Sequence, residues 1–247
     1  MTGPYRDNLQ FLTQTNGDGG DTLHKTGVWG FLQAFLGGEF AKYLADFVRL
    51  YPNKTFLRHP MFPWNDRYDV GRDQILPNWV AIATFLLKQD SSGAGVVLQE
   101  QYDRFKGALT YPNMRDFVGS EFECIFHRAL DLPKRWLWFH DLSLIIMSLV
   151  RCGYLPHWSH DLQKFVWYDS SDVSDDITHS MMLKFTTVFS PTWASRFAMF
   201  LYRKLKPKAG YVYSTEKDHV LQCWEWYFRL DSGGSLEYYE TFRMVWA

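Results

Sequence analysis

Large apolar residues return every third or fourth position along almost the whole chain, while strict alternation of apolar and polar residues is scarce. Such a chain can bury itself as packed helices and has little from which to build a sheet. Phe40, Tyr43, Leu44, Phe47 and Val48 form one amphipathic stripe, and Ile75, Trp79, Ile82, Ala83 and Leu86 a second. Met114, Phe117, Val118, Phe122, Ile125, Phe126 and Leu130 make a third, and Ile177, Met181, Phe185, Val188 and Phe189 a fourth. Ser190-Pro191 then reads as an N-cap followed by proline at the first helical position, opening a helix on Trp193, Phe197, Phe200 and Leu201. Leu142 to Val150 is apolar nearly all round, the pattern of a helix buried on most sides. Val220, Leu221, Trp224 and Phe228, then Leu236, Tyr239, Phe242 and Val245, add two more helices. The expectation is one all-α domain over residues 1–247, with about nine helices in an α/α toroid-like fold or a bundle. Gly210–Ser214 and Phe165–Tyr168 offer at most a small β-ribbon.

The formal charge of -1 leaves no basic field for nucleic acid or an acidic membrane surface, so neither is expected as a partner. Cys124, Cys152 and Cys223 are far apart and flanked by apolar or aromatic residues, which fits buried reduced thiols better than disulfides. No stretch is apolar for long enough to span a bilayer. The 11 Trp, 14 Tyr and 20 Phe are the outlier, since such rings fill inter-helix space and line sugar sites equally well.

Chemistry-bearing residues gather in the first third. Asn16-Gly17-Asp18-Gly19-Gly20-Asp21-Thr22-Leu23-His24 brings Asp18, Asp21 and His24 to a helix entrance, where exposed N–H groups favour negative charge. The plainer reading of Asp21 is an N-cap accepting the backbone N–H near His24. A second gathering follows on the loop from Tyr51 to Gly71, which Pro52, Pro60 and Pro63 keep out of regular structure. It carries Arg58, His59, Trp64, Asn65 and Asp66 and leads into Arg72, Asp73 and Gln74 at the next helix entrance. If the two entrances share one mouth, Asp21 and Asp73 are the carboxyl pair for acid–base chemistry on a sugar. Asp18, His24, Arg58, His59, Asn65, Asp66, Arg72 and Gln74 then grip hydroxyls, with Trp64 offering a ring face. The competing reading is a structural network in which Asp66, Asp73 and Asp21 neutralise Arg58 and Arg72.

Other chemistries find less support. His140-Asp141 and His157-Pro-Trp-Ser-His160-Asp161 lack a complete ligand pattern, so no metal and no cofactor are expected. The His127-to-His140 spacing is too short for a helical HD phosphohydrolase, and Asp175-Asp176 is followed by His179 where a terpene-cyclase motif needs a third acid. No nucleophile elbow, Walker A loop or dinucleotide fingerprint occurs.

Asp18-Gly19-Gly20-Asp21-Thr22 with Gly27, then Arg58-His59-Pro60, then Arg72-Asp73-Gln74, resembles a set of bacteriophage-encoded helical proteins with DGGD, RHP and RDQ segments in that order. The resemblance ends near Leu87, and Leu23-His24-Lys25 departs from the Gln-Arg-type residues of that set. It implies a phage origin and a place in the virion after synthesis in the host cytoplasm, and it supplies no activity. Two expectations follow. One is recognition of host-surface polysaccharide, with hydrolysis of the glycoside-hydrolase type if the chain is an enzyme. The other is a non-enzymatic tail or capsid protein packing through aromatic helices against other virion subunits or in a homo-oligomer.

Overall fold

The computed structural model describes residues 4–14, 19–65, 70–108, 119–159, 162–167 and 173–205. A short ribbon pairs β1 (Pro4–Arg6) with β2 (Leu12–Gln14) and precedes α1 (Thr22–Leu36), α2 (Phe40–Leu50), α3 (Arg72–Gln89), α4 (Ser92–Ala108), α5 (Gly119–Ala129) and α6 (Leu137–Arg151). A second ribbon pairs β3 (His157–Ser159) with β4 (Lys164–Val166), and α7 (Val173–Val188) and α8 (Trp193–Lys204) follow. The fold is all-α, with eight α-helices among the described residues. The two expected C-terminal helices, Gly210–Ser214 and Cys223 lie outside the described residues.

The odd-numbered helices form an inner layer and run parallel. Asn78 of α3 donates to the Leu23 carbonyl near the start of α1, and Gln89 donates to Ala34 near its end. At the far ends Phe35 of α1 meets Phe189 just beyond α7, and Arg128 of α5 donates to the Phe189 carbonyl. α1 is buried from Thr22 to Ala34 and α3 from Gln74 to Phe85, so their stripes are nearly all-round. The outer helices are one-sided: α2 buries only Tyr43, Phe47 and Leu50, and α8 only Ala194, Ser195 and Ala198. Rings fill the space between layers, with Trp79 edge-on to Phe122 at 4.7 Å and Tyr43 stacked on Phe85 at 5.8 Å.

α1 and α3 approach closely because Gly27 has no side chain. A Cβ there would stand 2.5 Å from the Asn78 nitrogen and 2.7 Å from the Pro77 carbonyl carbon, both backbone atoms that cannot swing aside. Gly27→Ala is therefore expected to lower stability by about 1–3 kcal/mol through overpacking, read as an earlier urea midpoint.

Two local readings need correction. α8 is capped by Thr192, whose hydroxyl accepts the Ser195 N–H at 3.1 Å while the Ser195 hydroxyl takes the Thr192 N–H at 3.0 Å. This reciprocal box satisfies two end donors where Ser190 would satisfy one, so Ser190-Pro191 precedes the helix. Within Leu142–Val150 of α6 only Ile146 is exposed, while Trp138 and Phe139, which precede that stretch, face outward. Phe165 and Val166 do lie in a ribbon, but their partner strand is the adjacent His157–Ser159. Cys124 and Cys152 are buried thiols outside any disulfide, and burial pushes the pKa of the Cys124 thiol well up. Among the described residues no helix is long and apolar enough to cross a membrane.

Candidate functional site

Because the inner helices are parallel, the N-terminal ends of α1, α3, α5 and α7 meet at one end of the molecule. Each brings an acid in or beside its first turn: Asp21, Asp73, Glu121 and Asp175. Negative charge is stabilised there by the unpaired N–H groups of each helix start.

One proline sets the local chemistry. Pro77 sits within α3 and has no N–H, so the carbonyl of Asp73, four residues back, lacks its helical partner. The imidazole of His24 fills the gap, its Nδ1 lying 2.8 Å from that carbonyl oxygen, with the Thr178 hydroxyl at 3.4 Å. A carbonyl only accepts, so Nδ1 donates to it, and Nε2 is the ring nitrogen left over. His24 is buried, and Nε2 has no hydrogen-bond partner among the described residues. A buried ring nitrogen left open in this way marks a place for a ligand or water.

Gln74 ties the two helix starts together. Its side-chain oxygen accepts the His24 backbone N–H at 3.1 Å, while its nitrogen donates to Asp21 at 3.1 Å and to Asp73 at 3.0 Å. Asp21 thus occupies the N-cap position without making a side-chain cap bond. The end of α1 is satisfied instead by Gly19, Arg58 and Gln74, which take the N–H groups of Thr22, Leu23 and His24. Asp21 is released to face Gln74 and Lys25, the latter at 3.5 Å.

The carboxyl groups are not equivalent. Burial raises the pKa of Asp73 above the ordinary carboxylate range, and the charge of nearby Asp175 raises it further, against the opposing pull of His24, Gln74 and Arg58. Burial acts the same way on Asp175, but Arg151 and Arg72 outweigh it and hold that carboxyl below its usual range. Arg72 spans Glu121 at 2.8 Å and Asp175 at 3.4 Å, and Arg151 also pairs with Asp175. Arg72 thus pairs with Glu121 and Asp175; of the expected network of Arg58 and Arg72 with Asp66, Asp73 and Asp21, the charge of Arg58 does act on Asp73, and Asp66 lies outside the described residues.

Asp21, His24, Arg72, Asp73 and Gln74 stand together at these helix starts, and Arg58 joins them by donating to the Gly20 carbonyl at 3.1 Å. His59 and Trp64 pack behind it on Gly19, where a Cβ would meet both rings within 2.9 Å. His59 is engaged with Asp7 at 2.8 Å and accepts the Met61 N–H, while Asn65 is exposed on the same turn. Asp18 and Asp66 lie outside the described residues. Asp175, Glu121, Arg151 and Thr178 were not anticipated as site residues. The paired Asp175-Asp176 was the available signal, but nothing in the sequence places α7 beside α3. The set with metal-ligand geometry among the described residues, Glu123, His127 and His140, lies toward the other end of α5.

No protein-family profile, no curated protein and no solved structure matches the chain. The functional reading therefore rests on this geometry and on the motifs of the first third.

Proposed function

We propose that the chain is a bacteriophage virion-associated protein that binds host-surface polysaccharide at the inner-helix mouth and cleaves a glycosidic bond there. The observation that carries this reading is the single Gln74 nitrogen shared by Asp21 and Asp73. Asp73, its proton retained to higher pH by burial and by Asp175, donates to the leaving oxygen. Asp21, partnered by Lys25, is the ionised carboxylate that receives the developing sugar cation. Two reaches of 3.1 and 3.0 Å from one nitrogen cap the oxygen separation at about 6 Å, nearer the spacing of retaining than of inverting glycosidases. The cations favour an uncharged substrate, because Lys25 and both Arg72 and Arg151 are already paired with acids. Trp64, half-buried beside Gly19, supplies the ring for stacking on sugar.

A second reading has its own support. Trp138, Phe139 and Ile146 on α6 and Trp193, Phe197 and Phe200 on α8 are exposed, the composition of an outer layer that packs against other virion subunits. Trp64→Ala separates the two readings. The polysaccharide reading expects at least about tenfold weaker glycan binding with subunit content of purified particles unchanged. Loss of the subunit from particles, with no glycan affinity in the wild type, would establish the structural role instead.

A further inference from the structure

Glu123 and His127 lie one turn apart on α5, so both side chains share a face, and α6 brings His140 against them. The rings of His127 and His140 are 4.9 Å apart between centroids, and one ligand atom from each of the three residues lies within 4.8 Å of the others. The His127 Nδ1 is 3.0 Å from the Pro133 carbonyl oxygen. As that oxygen can only accept, Nδ1 donates to it, and Nε2 is the ring nitrogen turned toward Glu123 and available to an ion. A carbonyl behind the imidazole is the usual outer support of a metal-ligating histidine. Glu123 Oε2 stands 3.0 Å from Nε2 but without hydrogen-bond alignment, and it has no hydrogen-bond partner among the described residues. The buried Nδ1 of His140 has none either. Arg128, one residue on, turns its guanidinium to Asp141 and to the Cys124 and Phe189 carbonyls.

We propose that Glu123, His127 and His140 form a binding site for one divalent transition-metal ion of the zinc class. Two imidazoles and one carboxylate suit a borderline ion better than Ca²⁺ or Mg²⁺, which take oxygen ligands. The 3.0 Å separation of Glu123 and His127 is close to that of two ligands on one ion with bonds of about 2.0–2.2 Å, and small side-chain rotations bring in His140. Glu123 and His140 are only partly buried, which gives an ion a route in and leaves its remaining positions to water.

Isothermal titration of the chelator-treated full chain with Zn²⁺, followed by Co²⁺ absorption, tests the site. One ion per chain is expected, with Glu123→Gln and His140→Gln each weakening binding by at least about 100-fold and His157→Ala leaving it unchanged. Bound Co²⁺ should show d–d bands without thiolate charge transfer. Absence of stoichiometric uptake, or uptake indifferent to both substitutions, overturns the site and leaves Glu123–His127 as an ordinary ion pair of one helix turn. Should either variant lose its helical circular dichroism, the wild-type cobalt spectrum decides: no d–d bands at one equivalent, or a thiolate band, overturns the assignment.

Discussion

Asp141→Ala is expected to remove about 3–5 kcal/mol of stability, because it strands a guanidinium in the core. Arg128 and Asp141 are both fully buried and bonded twice, at 2.8 and 2.5 Å. Arg128 also donates to the carbonyls of Cys124 and Phe189, and Asp141 accepts the Thr192 hydroxyl at 2.6 Å. One pair thus joins the end of α5, the start of α6, the segment beyond α7 and the cap of α8. Removing the acid leaves the arginine anchored by carbonyls but without a counter-charge, and water cannot reach it. The double replacement Arg128→Met with Asp141→Leu should recover most of the loss, since no unpaired charge then remains. Urea unfolding of the three variants measures this; a loss below about 1 kcal/mol for Asp141→Ala contradicts the assigned role.

Asp73→Asn is expected to cost about 10²–10⁴ in turnover of a polysaccharide substrate while keeping the fold, because asparagine cannot donate the proton a glycosidic oxygen needs. The sign of the stability change follows from the raised pKa of Asp73. Its contribution to folding is fully present below the pKa of an unfolded aspartate and is lost as pH rises through the higher folded value. The ionised wild-type form is therefore the strained one, and Asn, always neutral, should be as stable as wild type near pH 7 or more so. Asp175 behaves oppositely: held below its usual range, it contributes stability above the unfolded pKa and loses it as pH falls through the folded one. Activity should fall on the alkaline side as Asp73 loses its proton. A variant that loses several kcal/mol on Asp73→Asn would place this carboxylate in a structural network instead.

The helical class was legible because apolar spacing is local: the stripes around Tyr43, Trp79, Phe126 and Phe185 each lie on a helix that buries those residues. Motif spacing likewise pointed to Asp21, Asp73 and Gln74, which the parallel packing of α1 on α3 brings together. What periodicity could not supply is which helix ends share a face. Asp175 reaches the mouth only because α7 packs on α3 across about a hundred residues of chain, and Pro77 matters through a carbonyl that the sequence shows only as a kink or first-turn proline. The cap of α8 was misplaced by two residues because Ser190-Pro191 fits an N-terminus locally, while the capping box of Thr192 with Ser195 satisfies more donors.

In the proposed reaction Asp73 acts as the acid that cleaves a sugar linkage. The direct measurement is the release of new reducing ends when the purified chain is incubated with host-surface polysaccharide, wild type beside Asp73→Asn at matched folded concentration. New reducing ends are expected from wild type and a rate lower by about 100-fold or more from the variant, with equal helical content in both. No reducing ends from wild type, or equal release from the two proteins, would contradict that role.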